Sequence, residues 1–146
     1  MDSVLGDLED RLGTLIHDFP RALIIGPDID VLPMTGQSAS AGFTYQRLAA
    51  FAGPDDLADL PEGPFDLIVS LLHLQAVNDV PGYIARLRAI LAPDGLLTIA
   101  ALGGDTLTEL REAFLAADSL VTGGASARVA PMIQCAMPAA CCSALA

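Results

Sequence analysis

Two short apolar runs, residues 66–72 and 96–102, bracket a helical repeat formed by Ile84, Leu87, Ile90 and Leu91. The change from continuous apolar to a 3.6-residue period and back predicts a buried strand, a crossover helix and a second buried strand. Both runs are too brief to span a membrane, and two strands joined through a helix are parallel. The punctuation agrees with this order: Pro81 suits a first helical turn, and Pro93-Asp94-Gly95 stops the helix before the second strand. After that strand, Gly103-Gly104 permits a sharp turn, and Asp105 is placed to cap a helix carrying Leu107, Leu110, Phe114 and Leu115 on one face.

Upstream, Val4, Leu5, Leu8, Leu12, Leu15 and Ile16 recur at helical spacing, and Asp18-Phe19-Pro20 ends that helix before an apolar strand, Ala22 to Gly26. The sequence therefore predicts helices near 3–17, 81–92 and 105–118, and strands near 22–26, 65–71 and 95–102. The three strands are expected to be parallel and adjacent in that order. Between Asp28 and Glu62 there are too few residues for two full strand–helix units, and residues 33–42 are rich in Gly, Ser and Thr, so at least one unit is shortened.

Composition narrows the class. The 146 residues fit one domain, and 53% apolar content supplies a core. A net charge of −11, with seven basic residues that are all arginine, argues against nucleic acid or an anionic membrane as the main partner. The first nineteen residues mix acidic with apolar side chains and lack a basic flank, which reads as an amphipathic helix rather than a signal peptide and points to a cytoplasmic protein. Cys135, Cys141 and Cys142 all fall in the last twelve residues, and their spacing makes neither a metal site nor a disulfide framework.

Three strings carry a family resemblance: S-x-L-x-L-Q-x-V-N-D-x-P from Ser70 to Pro81, L-x-P-D-G from Leu91 to Gly95, and G-G-D-T-L-x-E-L-R from Gly103 to Arg111. Together they resemble the methyltransferase-like assembly factors of respiratory complex I and their alphaproteobacterial relatives and, more distantly, the biotin-synthesis methyltransferases. The resemblance covers about residues 18–134 and is specific over 65–134. It implies an α/β fold of the Rossmann-like class I methyltransferase type, with a parallel sheet, a shortened N-terminal part and without the closing C-terminal strands, which leaves the 95–102 strand at an edge and favours self-association. The domain is expected over 1–134, with 135–146 a tail outside it. Read one base out of register, a G+C-rich coding of that tail yields VRDAG-x-LLQRAG, similar to what the family has after the segment matched by Val129 to Pro131. The alternative is a genuine Ala-rich tail.

The cofactor implied by the resemblance is S-adenosylmethionine. In class I methyltransferases the first strand bears an acid and enters a Gly-rich turn, in a pattern similar to A-L-D-L-G-x-x-x-G. Here Ile24 replaces the acid, Asp30 stands at the later glycine, and Pro27 removes a donor, so the loop is degenerate. The resemblance places Gly26, Asp28, Ser70, Leu71 and Leu72 along the cofactor, and His73 and Gln75 toward the acceptor. His73 also suits a wall position, Asn78 and Asp79 suit helix capping, and Asp55, Asp56 and Asp59 are ribose-binding candidates by charge alone. Where the family carries tryptophan before V-N-D, this chain has Ala76. No residue stands out as a general base, and His17 and His73 lack metal-ligand spacing. Two functions follow: methyl transfer from S-adenosylmethionine, or a non-catalytic or diverged assembly factor, a protein-binding scaffold or arginine-modifying protein with a respiratory-complex client.

Overall fold

The computed structural model describes residues 1–50 and 60–129. Five strands form one sheet in the order β2-β3-β1-β4-β5, with β1 Ala22–Gly26, β2 Thr35–Gln37, β3 Gly42–Ala49, β4 Phe65–Leu71 and β5 Leu91–Ala100. β1 runs parallel to both β3 and β4, and β4 runs parallel to β5; only the β2–β3 pair is antiparallel. The expected order of the three apolar strands therefore holds, in a mostly parallel α/β sheet.

The core divides by the two-residue period of the central strands. Ala22 and Ile24 of β1, with Leu67, Val69 and Leu71 of β4, face α1 (Asp2–Gly13) and its Leu8 and Leu12. Leu23, Ile25, Phe65 and Ile68 face the other way, onto Val80, Tyr83, Ile84 and Leu87 of α2 (Val80–Ala89). The Asp79 carboxylate caps α2 by accepting the Gly82 N–H at 3.0 Å, and Pro81 sits in its first turn.

Four local differences from the sequence expectation have physical reasons. Helix α1 stops at Gly13 rather than near residue 17, because the Thr14 hydroxyl takes the Arg11 carbonyl and the chain leaves the helical path, exposing Ile16. β5 begins at Leu91, ahead of the Pro93-Asp94-Gly95 turn, which becomes a bulge: Phe65 pairs with Leu91 and Leu67 with Leu96. Gly95 is needed there, since a Cβ would stand 2.9 Å from the Phe65 carbonyl oxygen. The third helix, α3 (Thr108–Val121), starts later than expected, with Leu107 in a left-handed conformation at its N-cap, and no side chain, Asp105 included, caps it. Its face of Leu107, Leu110, Phe114 and Leu115 is exposed rather than packed on the strand ends.

The shortened unit lies between β1 and β3. A 3-10 turn, Ile29–Val31, and the small strand β2 stand where a crossover helix is usual, so α1 and the buried Leu32 cover that side of β1. Phe19, Phe43 and Tyr45 extend the cover as edge-to-face rings 5.4 and 5.1 Å apart. Burial, reinforced by the Glu9 carboxylate, pushes the Tyr45 hydroxyl up to about 12. No helix among the described residues is long and apolar enough to cross a membrane.

Replacement of Leu67, which is fully buried, by alanine is expected to cost about 2–5 kcal/mol in urea unfolding. The same change at Leu120, 87% exposed on α3, is expected to stay within about 0.5 kcal/mol. Equal losses at both positions would contradict the assignment of the core.

Candidate functional site

Open α/β sheets bind ligands at the carboxyl ends of their parallel strands, here Gly26, Ala49, Leu71 and Ala100. The loop after β1 is closed by its own residues. A Cβ on Gly26 would stand 2.7 Å from the Leu32 Cδ2, so the space that glycine leaves is filled by a core leucine. The Asp28 carboxylate accepts the Asp30 N–H at 3.0 Å and caps the 3-10 turn. From β3, the Arg47 guanidinium donates to the Ile29 and Leu32 carbonyls at 3.0 and 3.3 Å, tying the loop down. A cradle for the amino-acid part of S-adenosylmethionine needs open backbone donors beside a glycine. Pro27 has no N–H, Asp28 is engaged, and Leu32 covers Gly26, so the residues present do not form that cradle.

The loop after β4 divides the remaining candidates between the two faces. Ser70 is fully buried on the α2 side, its hydroxyl 2.9 Å from the Tyr83 hydroxyl. His73 is buried beside it, its ring centroid 5.7 Å from that of Tyr83. Leu71 faces α1 instead, and Leu72 turns the chain with a φ of 48°, a left-handed conformation that a leucine adopts at a cost. Gln75 braces this turn by donating to the Leu72 carbonyl, while its Oε1 is buried without a hydrogen bond among the described residues. Asp79 caps α2, and Asn78 is exposed. Asp55, Asp56 and Asp59, like the three cysteines, lie outside the described residues.

One concavity at this edge is not revealed by the sequence. A groove of about 520 Å³ runs between α1 and the carboxyl ends of β4 and β5, lined by Val4, Leu8, Leu71, Leu72, Thr98 and Ala100. The Asp7–Arg11 ion pair, 2.7 Å long and solvent-exposed, forms its rim. α1 and β5 are far apart in sequence, and neither carries a motif that announces the groove between them. The structure thus brings Leu71 and Leu72 to the groove, Ser70 and His73 to the α2 side, and Gly26 and Asp28 into a closed loop, rather than gathering all six in one cleft. Among the described residues no cluster of His, Cys, Asp or Glu could hold a metal ion.

A mostly parallel α/β sheet whose β4 loop carries V-N-D-x-P and whose β5 is followed by G-G-D-T-L-x-E-L-R is a shortened Rossmann-like fold of the methyltransferase-like class. Comparison with known proteins specifies it further. The chain is 31% identical over 140 residues to the rat protein "Arginine-hydroxylase NDUFAF5, mitochondrial", covering 85% of this chain and 41% of that protein. Its human counterpart is 40% identical over 77 residues, 53% of this chain and 22% of its own length. A malonyl-[acyl-carrier protein] O-methyltransferase of Xylella fastidiosa is 34% identical over 102 residues, 70% of this chain and 34% of the enzyme. The chain is a homologue of these methyltransferase-like proteins, as its motifs implied, and it spans about two fifths of the length of the rat relative. No family model and no solved structure matches it.

The Ser70–Tyr83 contact has a measurable signature. Tyr83→Phe leaves a dry serine hydroxyl without this partner and is expected to lower unfolding stability by about 1–2 kcal/mol. Adding Ser70→Ala to that variant is expected to recover most of the loss. Additive losses in the double-mutant cycle would show that the two hydroxyls do not interact.

Proposed function

We propose that this chain is a methyltransferase-like protein with a degenerate S-adenosylmethionine loop, and that it serves a protein client as an assembly factor does rather than transferring methyl groups. The observation that carries this reading is the packing of Leu32 against Gly26, where an added Cβ would stand 2.7 Å from the leucine Cδ2, in a loop that Pro27 deprives of a backbone donor. The relatives supply the client class: one set is named for arginine hydroxylation and the other for methylation of a carrier protein, so both act on protein-borne groups. A net charge of −11 favours a basic client segment, as an arginine-bearing subunit of a respiratory complex would present. In this reading the protein works in the cytoplasm, and His73 and Gln75 stabilise the β4 loop rather than contact an acceptor.

A second reading, methyl transfer from S-adenosylmethionine, is favoured by a different observation. The groove at the carboxyl ends of β4 and β5 is open, and the left-handed Leu72 lies in its wall. Strain of this kind gathers at ligand sites. Gly26, Asp28 and Ser70 to Leu72 would then line the cofactor, and catalysis would consist mainly of alignment, because no residue stands out as a general base among the described residues.

Isothermal calorimetry with S-adenosylmethionine separates the two. No saturable heat is expected at cofactor concentrations up to about 1 mM, equivalent to binding weaker than about −4 kcal/mol. Saturable micromolar binding would overturn the first reading and support the second.

A further inference from the structure

We propose that a pocket at the amino ends of the parallel strands is a docking site for the cationic side chain, lysine or arginine, of a basic peptide. The pocket, of about 520 Å³, opens between α1 and the β2–β3 hairpin and is lined by Glu9, Thr35, Gly36, Gln37, Phe43 and Thr44. Tyr45 of β3 pairs with Ala22, the first residue of β1, so Phe43 and Thr44 lie beyond the amino end of β1. Gly26, Leu71 and Ala100 stand at the other end of the strands. The pocket is therefore separate from the Gly26 loop and from the groove between α1, β4 and β5.

Three features of the lining select a cation. Glu9 supplies the charge: unlike Asp7, which Arg11 neutralises, its carboxylate has no ion pair or hydrogen bond among the described residues. Its field acts at this place in the fold, where it helps burial to hold back ionisation of Tyr45. Phe43 supplies a fixed aromatic surface. A Cβ on Gly36 would stand 2.5 Å from the Phe43 Cζ, so the ring lies over that glycine, and Phe19 and Tyr45 meet it edge to face at 5.4 and 5.1 Å. An ammonium or guanidinium beside a carboxylate and an aromatic ring is attracted by both. Gln37 supplies an oriented acceptor: its Nε2 donates to the Ser38 carbonyl at 2.8 Å, which leaves Oε1 over Gly42, where an added Cβ would stand 3.1 Å from it. No basic side chain lines the pocket.

The remaining polar groups point to a peptide rather than a free amine. The Thr35 and Thr44 hydroxyls both donate and accept, which suits the peptide groups on either side of a bound side chain, and the pocket has room for more than the charged head group. A net charge of −11 draws a basic segment from a distance, and Glu9 with Phe43 then gives it a place to dock. The partner rests on the client reading under the proposed function, but the site does not depend on the state of the Gly26 loop. Calorimetry with S-adenosylmethionine and a titration with basic peptide therefore succeed or fail separately.

The test is an NMR titration of the isotope-labelled full chain, at physiological ionic strength, with blocked tripeptides that carry lysine, arginine or norleucine between two glycines. The lysine and arginine peptides are expected to shift the signals of Glu9, Gly36, Gln37, Phe43 and Thr44 saturably, with a Kd on the order of 1 mM, and the norleucine peptide is expected to shift none of them. Glu9→Gln, at an exposed helical position where the fold is not at stake, is expected to weaken both cationic peptides about threefold. Asp10→Asn removes the same charge one residue away, outside the pocket, and is expected to leave their affinity unchanged. Equal losses in the two variants would overturn the proposal, because net charge alone would then account for binding. Absence of saturable shifts, shifts that cluster elsewhere, or equal binding of the norleucine peptide would also overturn it. So would butylamine that binds as tightly as the lysine peptide, which would make the ligand a free amine.

Discussion

The central pair of strands, β1 and β4, is dry on both faces, and this condition determines most of what surrounds it. Leu23, Ile24, Leu67, Ile68, Val69 and Leu71 have no exposed surface, so each face needs a covering layer. On one side α2 supplies that layer in the ordinary way, as the crossover between β4 and β5. On the other side the crossover between β1 and β3 contains no α-helix. The cover is assembled instead from α1, Leu32 and the rings of Phe19, Phe43 and Tyr45. Each apolar side chain so buried stabilises the fold by about 1.5–3 kcal/mol, and none can be withdrawn cheaply.

That arrangement bears directly on function. A methyltransferase loop keeps its glycine open so that a ligand can approach the backbone. In this protein Gly26 is open toward Leu32 instead, and the same glycine serves packing. Asp28 and Arg47 then hold the loop from its two ends. Leu32, at the end of the 3-10 turn that stands where a crossover helix is usual, both covers β1 and fills the space beside Gly26. Homology to NDUFAF5 and to malonyl-[acyl-carrier protein] O-methyltransferases gives the scaffold its class, and fold alone does not fix what the site does.

Legibility in the sequence followed the range of the forces involved. The strands at 22–26 and 65–71 and the helix that begins beside Pro81 were legible because apolar runs, proline and a capping Asp79 act locally. From sequence alone Pro93 to Gly95 reads as a turn ahead of the strand, since only the register with β4 reveals that Leu91 already belongs to the ladder. β3 is faint in the sequence: Phe43 and Tyr45 alternate with Thr44 and Gln46, but the Gly- and Ser-rich residues before them read as a loop. The damage to the Gly26 loop was legible from Pro27, Asp28 and Asp30, but Leu32 as its filler was not, because that contact depends on the whole α1 face. Ser70 illustrates the same limit: a motif serine expected beside the cofactor is paired with Tyr83 from a helix thirteen residues on.

Native-state hydrogen exchange at the β1 loop tests the account most directly. The Ala50 amide donates to the Gly26 carbonyl at 2.7 Å, and the Leu32 amide donates to that of Ile29 at 3.3 Å. If Leu32 belongs to the core, the Ala50 amide exchanges only through global unfolding, with a denaturant dependence equal to that of the central strands, and S-adenosylmethionine leaves both amides unchanged. Exchange of these amides through a separate, low-energy opening that S-adenosylmethionine suppresses would contradict it.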